Sequence, residues 1–551
     1  MSATETTPPA PARRWGLKTA AVVLVLIGAV TICAVQMAAH NGVLNAKAPP
    51  EPGADGKAPA SAAVDPFAAW AAQPTPPDLV LVLSGQQYGF LNPCGCSEPQ
   101  YGGLPRRWNL MQGLKARGWP VLGVDLGDII ETPNHRTPQT MLKYETAMKA
   151  LDKLGYLAVN VGLHETEMPL LTTIGQYALN SPAPRMLAAN LLDRDTNFAG
   201  AIGNWTVGSA PGSKVKVGVT GIVGPTVQKA IPGNQVPALR FDGTVNALNT
   251  ALKEMAAQKP DVRVLLYQGD LAQAKACAAQ FKDFQIVLCQ SKESEPTDRP
   301  ERVKDSEAWV LNVGHKGRYV GVVGLWKTGN AARPFDMKYE LVMLGPEYET
   351  KKGEEKNNAA LQLLEAYTKT VRDSNFLAQF PQRKHPLQVA FPGAEYVGSA
   401  ECKTCHRDAY NVWENHPHSH AYDTLTKAKK PELRQFDGEC IVCHTVGFGQ
   451  VSGYESETKT PALREVGCEN CHGPGSLHVQ MGKKTPESML ALMNPYKWKP
   501  GENPQEEAAR LLKIDLECQK CHDVDNDVHW NFKKKWPAVI HRSAKNAAKR
   551  D

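Results

Sequence analysis

Short apolar runs alternate with amphipathic segments along the middle of this chain. "DLVLVLSG", "WPVLGVDLGD", "LAVNVGLHE", "KVKVGVTGIVG", "VRVLLYQGD" and "FQIVLCQ" are rich in Val, Ile and Leu. Runs this short, several of them closed by Gly, predict buried strands. Between them, "RWNLMQGLKARG" and "YETAMKALDKLG" have helix-like spacing. Strand and helix in alternation predict an α/β domain over residues 78–346. Within the stretch 347–394, residues 351–380 predict an amphipathic connecting helix. After Pro392 the strand pattern stops and Cys-His segments take over. Residues 395–551 therefore predict a mostly helical or irregular domain with a basic tail.

The N-terminus has a different pattern. Arg13, Arg14 and Lys18 precede an uncharged run from Thr19 to Ala39. At ~1.5 Å per residue that run is long enough to cross a bilayer. No polar face breaks it, which argues against a core helix. The basic flank keeps residues 1–18 in the cytoplasm and sends the rest outside. The expectation is one retained transmembrane anchor, 19–39, in a bacterial cytoplasmic membrane, with the bulk of the chain in the periplasm. A cleaved signal peptide is the alternative, but no clean A-x-A site lies near Met37 to Ala39. Residues 40–77 are rich in Ala and Pro and predict a semi-extended spacer.

A length of 551 residues suggests two or three domains. The 62 basic and 56 acidic residues give a net charge of only +6. No basic stripe with interleaved aromatics accompanies it, so nucleic acid is not an expected partner. Cysteine changes the picture more. Of 13 cysteines, eight fall between Cys402 and Cys521, paired two by two. That usage leaves none spare there for a disulfide framework.

The pairs are "CKTCH" (Cys402, Cys405, His406), "CIVCH" (Cys440, Cys443, His444), "CENCH" (Cys468, Cys471, His472) and "CQKCH" (Cys518, Cys521, His522). Two thiols at this spacing add across the two vinyl groups of one haem. The next residue then offers its imidazole to the iron, which is the signature of c-type attachment. Zinc sites would not require a His directly after every second Cys. A thioredoxin-like redox motif would sit once, at a helix start beside a strand. The expectation is four covalent haems with His406, His444, His472 and His522 as proximal ligands. The distal candidates are His418, His478, His541 and His529, with His385, His416 and His420 also in the region. His478 follows its own haem histidine by too little chain to double back, so it is expected to serve a neighbouring haem. About 150 residues holding four porphyrins would have the cofactors as most of their core.

At this point the sequence resembles a known family. "YVGSAECKTCHRDAYNVWENHPHSHAYDTL", "CIVCHTVGFG", "VGCENCHGPGSLHV" and "CQKCHD" are together similar to the tetrahaem cytochrome c-554 family. In that family a His shortly after the Trp of the first motif is a distal ligand. His418 is the best match, with His416 and His420 close by. The Ser-x-His after the third motif is matched by Ser476 and His478. The resemblance implies closely packed haem pairs that conduct electrons, and some relatives keep one iron open.

The α/β region resembles the metallophosphoesterase domain of 5′-nucleotidases, through "GGLPRRWNLM", Gly127-Asp128, "GLHE", "MLAANLLD", "KVGVTGIVGPT" and "GHKGRYVGVVGLW". The implied fold is a four-layer α/β sandwich. Such enzymes hold two divalent metals at strand ends with Asp, His and Asn. Here the resemblance puts Gln86 and Tyr88 where Asp and His are expected, Leu163 in place of Asn, Gln268 in place of His, and Ser291 and Glu293 in place of the final histidines. Asp128 and His164 remain. Gln and Tyr are poor substitutes for charged ligands. A divalent metal and hydrolysis are therefore not expected of this degenerate site. Cys94, Cys96, Cys277 and Cys289 are expected to form disulfides, with a thiolate metal site as the alternative.

The function expected on these grounds is an exported, membrane-anchored tetrahaem c-type cytochrome that passes electrons to or from periplasmic redox proteins. Its nucleotidase-like domain would serve for docking or ligand binding. The alternatives are a multihaem redox enzyme with one open haem acting on a small nitrogen or sulfur compound, and an active phosphoesterase fused to a haem module.

Overall fold

The computed structural model describes residues 65–541 apart from 94–99, 132–137, 168–182, 194–200, 234–238, 331–332, 524–525 and positions 294, 305, 430 and 528. The expected anchor at 19–39 and the Cys94/Cys96 loop lie outside the described residues. Among the described residues no helix is long and apolar enough to cross a membrane.

Two sheets form the α/β region. The first has seven strands in the spatial order Arg333–Met343, Tyr319–Asn330, Leu79–Ser84, Val121–Asp125, Tyr156–Asn160, Arg185–Leu187 and Ile202–Gly203. The second has six, in the order Glu301–Arg302, Trp309–Leu311, Ile286–Cys289, Val262–Gln268, Val217–Val223 and Trp205–Gly208. The central pairings in both sheets are parallel, and Tyr319–Asn330 joins the first sheet antiparallel to Leu79–Ser84. Because side chains alternate across a strand, one strand feeds two cores. Leu79, Leu81 and Leu83 point between the sheets, where they meet Val217, Val219, Val264 and Ile286. Val80 and Val82 point outward onto the helices Leu104–Ala116 and Pro138–Leu154. On the far side Leu265, Val287 and Cys289 pack under Thr244–Ala256 and Leu271–Gln280. Helix, sheet, sheet, helix is the four-layer order expected.

Two sequence expectations change here. Phe67 and Trp70 are buried in the first core, with Trp70 stacked on Trp119 at 6.1 Å. The fold therefore takes up the chain at Asp65, inside the segment read as spacer, because two large aromatics outweigh the surrounding Ala and Pro. Cys277 and Cys289 are free thiols, not disulfide partners. Both sit in the outer apolar layer, where burial pushes each thiol up to about 12. Cys289 thus faces away from the strand ends where the degenerate site lies.

A buried polar knot ties the C-terminal ends of the first-sheet strands. Arg107 is fully buried and donates to Ser84 Oγ at 3.2 Å, Tyr156 Oη at 3.4 Å and Gln87 Oε1 at 2.5 Å. Its Nη1 lies 3.9 Å from Asp125, itself fully buried. Removing one partner of a buried pair strands the other charge.

After the 15-residue helix Ala359–Asp373, the C-terminal region is built mostly of short helices and 3-10 turns, with one further 15-residue helix, Pro504–Cys518, that ends on the first cysteine of the fourth motif. Its apolar core is small, with Tyr396, Tyr422, Leu425, Ile441, Val446, Phe448, Tyr454 and Leu463 buried together.

Arg107→Leu is expected to cost about 3–5 kcal/mol by leaving Asp125 buried without its cation. Denaturant unfolding followed by circular dichroism would show it as a lower midpoint. An unchanged midpoint would show that this pair does not hold the sheet ends.

Candidate haem sites and a degenerate cleft

Each Cys-x-x-Cys-His motif lies at or beside a short helix. Asp437 caps Gly438–His444 by accepting from Glu439 N at 3.0 Å. Capping fixes the start of the turn and hence the direction in which both thiols and the imidazole project. All eight motif cysteines are thiols rather than disulfides, the form that haem attachment consumes.

The third motif ties its neighbours together. Glu469, one of its two middle residues, is buried. Its carboxylate accepts from Val397 N at 3.1 Å, Gly398 N at 2.7 Å and Gly475 N at 2.8 Å. The chain leading into the first motif and the turn after the third are thus pinned to one side chain. Asn470 accepts from Gly467 N at 2.7 Å and donates to the carbonyl of Thr445, next to the second motif's histidine, at 2.9 Å. Cysteines of different motifs also meet: Cys402 with Cys468, and Cys443 with Cys521. The first motif thus lies beside the third and the second beside the fourth, and Cys471 of the third also lies near Cys518 and Cys521 of the fourth.

Three histidine pairs stand at one separation. His406 and His478 have ring centres 6.0 Å apart, as do His522 and His418, and His472 and His541. An imidazole–metal bond of about 2 Å plus roughly 1.2 Å to the ring centre, counted twice, gives about 6.4 Å. The spacing is thus close to that of two imidazoles sharing one metal. Every pair joins one motif histidine to a histidine that follows a different motif.

Hydrogen bonds set the tautomers. Nδ1 of His444 donates to the Ala421 carbonyl at 2.6 Å, and Nδ1 of His472 to that of Met493 at 2.7 Å. His478 donates to Thr485 Oγ1 at 2.8 Å, His522 to Asp527 at 3.0 Å and His541 to the Val539 carbonyl at 3.2 Å. A bonded Nδ1–H leaves Nε2 bare as a ligand, the usual arrangement at metal-bound histidine. Burial lowers the pKa of His444, His472 and His478 and takes His418 to about 4, which favours the neutral ligand form. Trp530 stacks on His522 at 4.4 Å and donates to Asp515.

The other histidines are placed differently. His416 Nδ1 accepts from His418 N at 3.2 Å, and His385 Nδ1 accepts from Leu387 N at 3.1 Å. Both spend their lone pair on the backbone. His420 and His529 are exposed. Among the described residues, no histidine ring pairs with His444, and His529 does not join the 6.0 Å pairs. Sequence reading missed Glu469, Asp527 and Thr485, since an acceptor for a backbone N–H or a ring nitrogen has no spacing signature.

At the strand ends of the α/β region, side-chain amides stand where the family resemblance expects metal ligands. Gln86 accepts from Ser291 N at 2.6 Å and donates to Ser291 O at 3.0 Å. Gln268 donates to the Leu126 carbonyl at 2.8 Å. Asn160, missed in the sequence, donates to Ile222 O at 3.1 Å and Leu266 O at 2.9 Å. All three bridge the two sheets. Asp128 accepts from His164 N at 3.0 Å and from Gln290 Nε2 at 3.1 Å. Tyr88 packs edge-on against His164 at 5.4 Å, and burial with the Asp128 charge holds its phenol well above the ordinary value. Glu165 is pushed up to about 7 by burial and Asp128. Leu163 is half-buried and Glu293 exposed. This donor set does not match a two-metal centre, because Gln86, Tyr88, Leu163 and Gln268 supply neither carboxylate nor imidazole, although Asn160 Oδ1 and Gln268 Oε1 are buried without a hydrogen-bond partner.

Comparison with known proteins follows the same division. Residues 401–473 match the family described as cytochrome c554 and c-prime. Cytochrome c-554 of Nitrosomonas europaea is 34% identical over 120 residues, covering 18% of this chain and 51% of that one. A 5′-nucleotidase of Diplobatis ommata is 26% identical over 199 residues, covering 35% of this chain and 33% of that one. A 5′-nucleotidase precursor from Thermus thermophilus superposes with a TM-score of 0.44 at 20% identity, over 54% of this chain and 59% of that one. The chain thus spans about half the length of one curated relative and a third of the other. Its C-terminal region is similar to the cytochrome c-554 family, and its α/β region to 5′-nucleotidases.

Glu469→Ala would leave three backbone donors without their acceptor, at about 1–3 kcal/mol each. It is expected to lower the unfolding midpoint of the haem-loaded chain followed by haem absorbance. A midpoint equal to wild type would remove Glu469 as the tie between motifs one and three.

Proposed function

We propose that this chain is an exported tetrahaem c-type cytochrome that transfers electrons, anchored by residues 19–39 and carrying its nucleotidase-like domain as a docking or ligand-binding platform. The observation that supports this reading best is the set of three imidazole pairs at 6.0 Å. Cys402, Cys405, Cys440, Cys443, Cys468, Cys471, Cys518 and Cys521 would attach four haems. His406, His444, His472 and His522 would bind from the proximal side. His478 would complete the first site, His418 the fourth and His541 the third. Each haem supplies a one-electron iron couple when bound. The chain anchors Nδ1 of His444, His472, His478, His522 and His541, and burial favours the neutral form of His418, His444, His472 and His478. Iron closed by two imidazoles would suit conduction to a periplasmic redox protein.

A second reading rests on His444. Its Nδ1 is anchored like the other motif histidines, yet no second ring stands opposite among the described residues. That arrangement suits a redox enzyme in which one iron takes a small nitrogen or sulfur compound. Hydrolysis is not proposed, because Gln86 and Gln268 bond to the backbone.

Electron paramagnetic resonance of the oxidised, haem-loaded chain is expected to show three low-spin bis-imidazole centres. His478→Ala, His418→Ala and His541→Ala should each convert one of them to high spin. An unchanged low-spin spectrum for any variant removes that residue from the ligand set. Cyanide or nitric oxide binding to the wild type tests the second reading: four low-spin irons that ignore both would end it.

A further inference from the structure

The α/β region and the Cys-His region meet at a charged contact. Lys143, on the helix Pro138–Leu154, is buried, and its Nζ forms an ion pair with the carboxylate of Glu439. Glu439 directly precedes Cys440, the first cysteine of the second haem motif. One helical turn before Lys143, Gln139 donates to Asp437 at 2.7 Å and to Tyr367 Oη at 3.1 Å. Asp437 is the cap of the second-motif helix.

Lys143 also touches the degenerate cleft. A Cβ placed on Gly89 would stand 3.1 Å from Lys143 Nζ, and Gly89 has a φ of +77°. Gly89 follows Tyr88 in the loop that the family resemblance assigns to the first metal motif. Glu131 acts on both Tyr88 and Glu439, so cleft and motif share one electrostatic neighbourhood. Burial pushes the Lys143 ammonium down, but Glu439 and Asp437 outweigh it, so the cation persists.

We propose that Lys143 is an electrostatic positioning residue for the second haem, through which the α/β domain sets that haem's reduction potential. The proposal rests on the reading that the second motif carries haem. Reduction potentials respond to net charge and burial around the cofactor. The Lys143 end of the contact is buried and the Glu439 end exposed, so the cation sits at lower dielectric than the anion, where a single charge acts more strongly than in water. The cation of the pair favours reduced iron and the anion oxidised iron, so the pair as built nearly cancels.

Potentiometric titration of the haem-loaded full chain, resolved haem by haem with low-temperature spectra, tests this. Lys143→Gln leaves the Glu439 carboxylate uncompensated and is expected to lower one midpoint. Glu439→Gln leaves the ammonium and is expected to raise the same midpoint. The double variant should return close to wild type, and Lys143→Arg should stay there. Two single variants moving the midpoint in the same direction, or neither moving it, would overturn the proposal, since a packing defect has no charge sign. A Lys143→Arg shift as large as that of Lys143→Gln would also overturn it. Haem counts by pyridine haemochrome separate the two claims: fewer than four haems in the wild type would defeat the haem reading itself.

Discussion

Two imidazoles share one iron only when their rings stand about 6 Å apart with bare nitrogens facing each other. On the proposed ligand set, the C-terminal region is arranged around that constraint. Its buried apolar cluster is eight side chains among the described residues, too little to specify where so many short helices and turns should lie. Definition comes instead from polar ties. Glu469 gathers three backbone donors, Asn470 reaches across to Thr445, and Trp413 donates to the Val466 carbonyl at 2.7 Å. These bonds fix the backbone, and the backbone fixes the rings.

The α/β region shows the reverse case, a large apolar core with a polar network at its strand ends. The ends of parallel strands leave backbone carbonyls and amides that need partners. Metal ligands would turn away from them toward an ion. Gln86, Asn160 and Gln268 turn toward them and join one sheet to the other. An amide is well suited to this, because it donates and accepts at once. Gln86 both donates and accepts here, and the buried Arg107–Asp125 pair adds a charged tie at the same strand ends.

Much of this was legible in the sequence. Short apolar runs marked the central strands, and the four Cys-x-x-Cys-His motifs marked the turns on which the haem reading rests. His418, His478 and His541 were on the candidate list; Nδ1 of His478 and of His541 donates, whereas Nδ1 of His416 and of His385 accepts from the backbone. That distinction depends on a local turn, not on spacing. Trp70 was hidden by an Ala/Pro-rich context, and the buried thiols of Cys277 and Cys289 by an expectation drawn from compartment rather than from packing. Glu439 and Lys143 lie 296 residues apart in the chain, so only the folded structure could join them.

The crossing of the histidine pairs bears on how such a chain is made. Synthesis and export run from the N-terminus, so Cys402 and Cys405 emerge long before His478, and His472 before His541. On the proposed ligand set, a cofactor held at the first motif must wait, half-coordinated, while later segments arrive. An early stop between His472 and His541 would then release a polypeptide with at least one exposed, reactive iron. On that ligand set the stretch that ends at His541 closes the last of the three crossed sites, after His478 has closed the first and His522 the fourth.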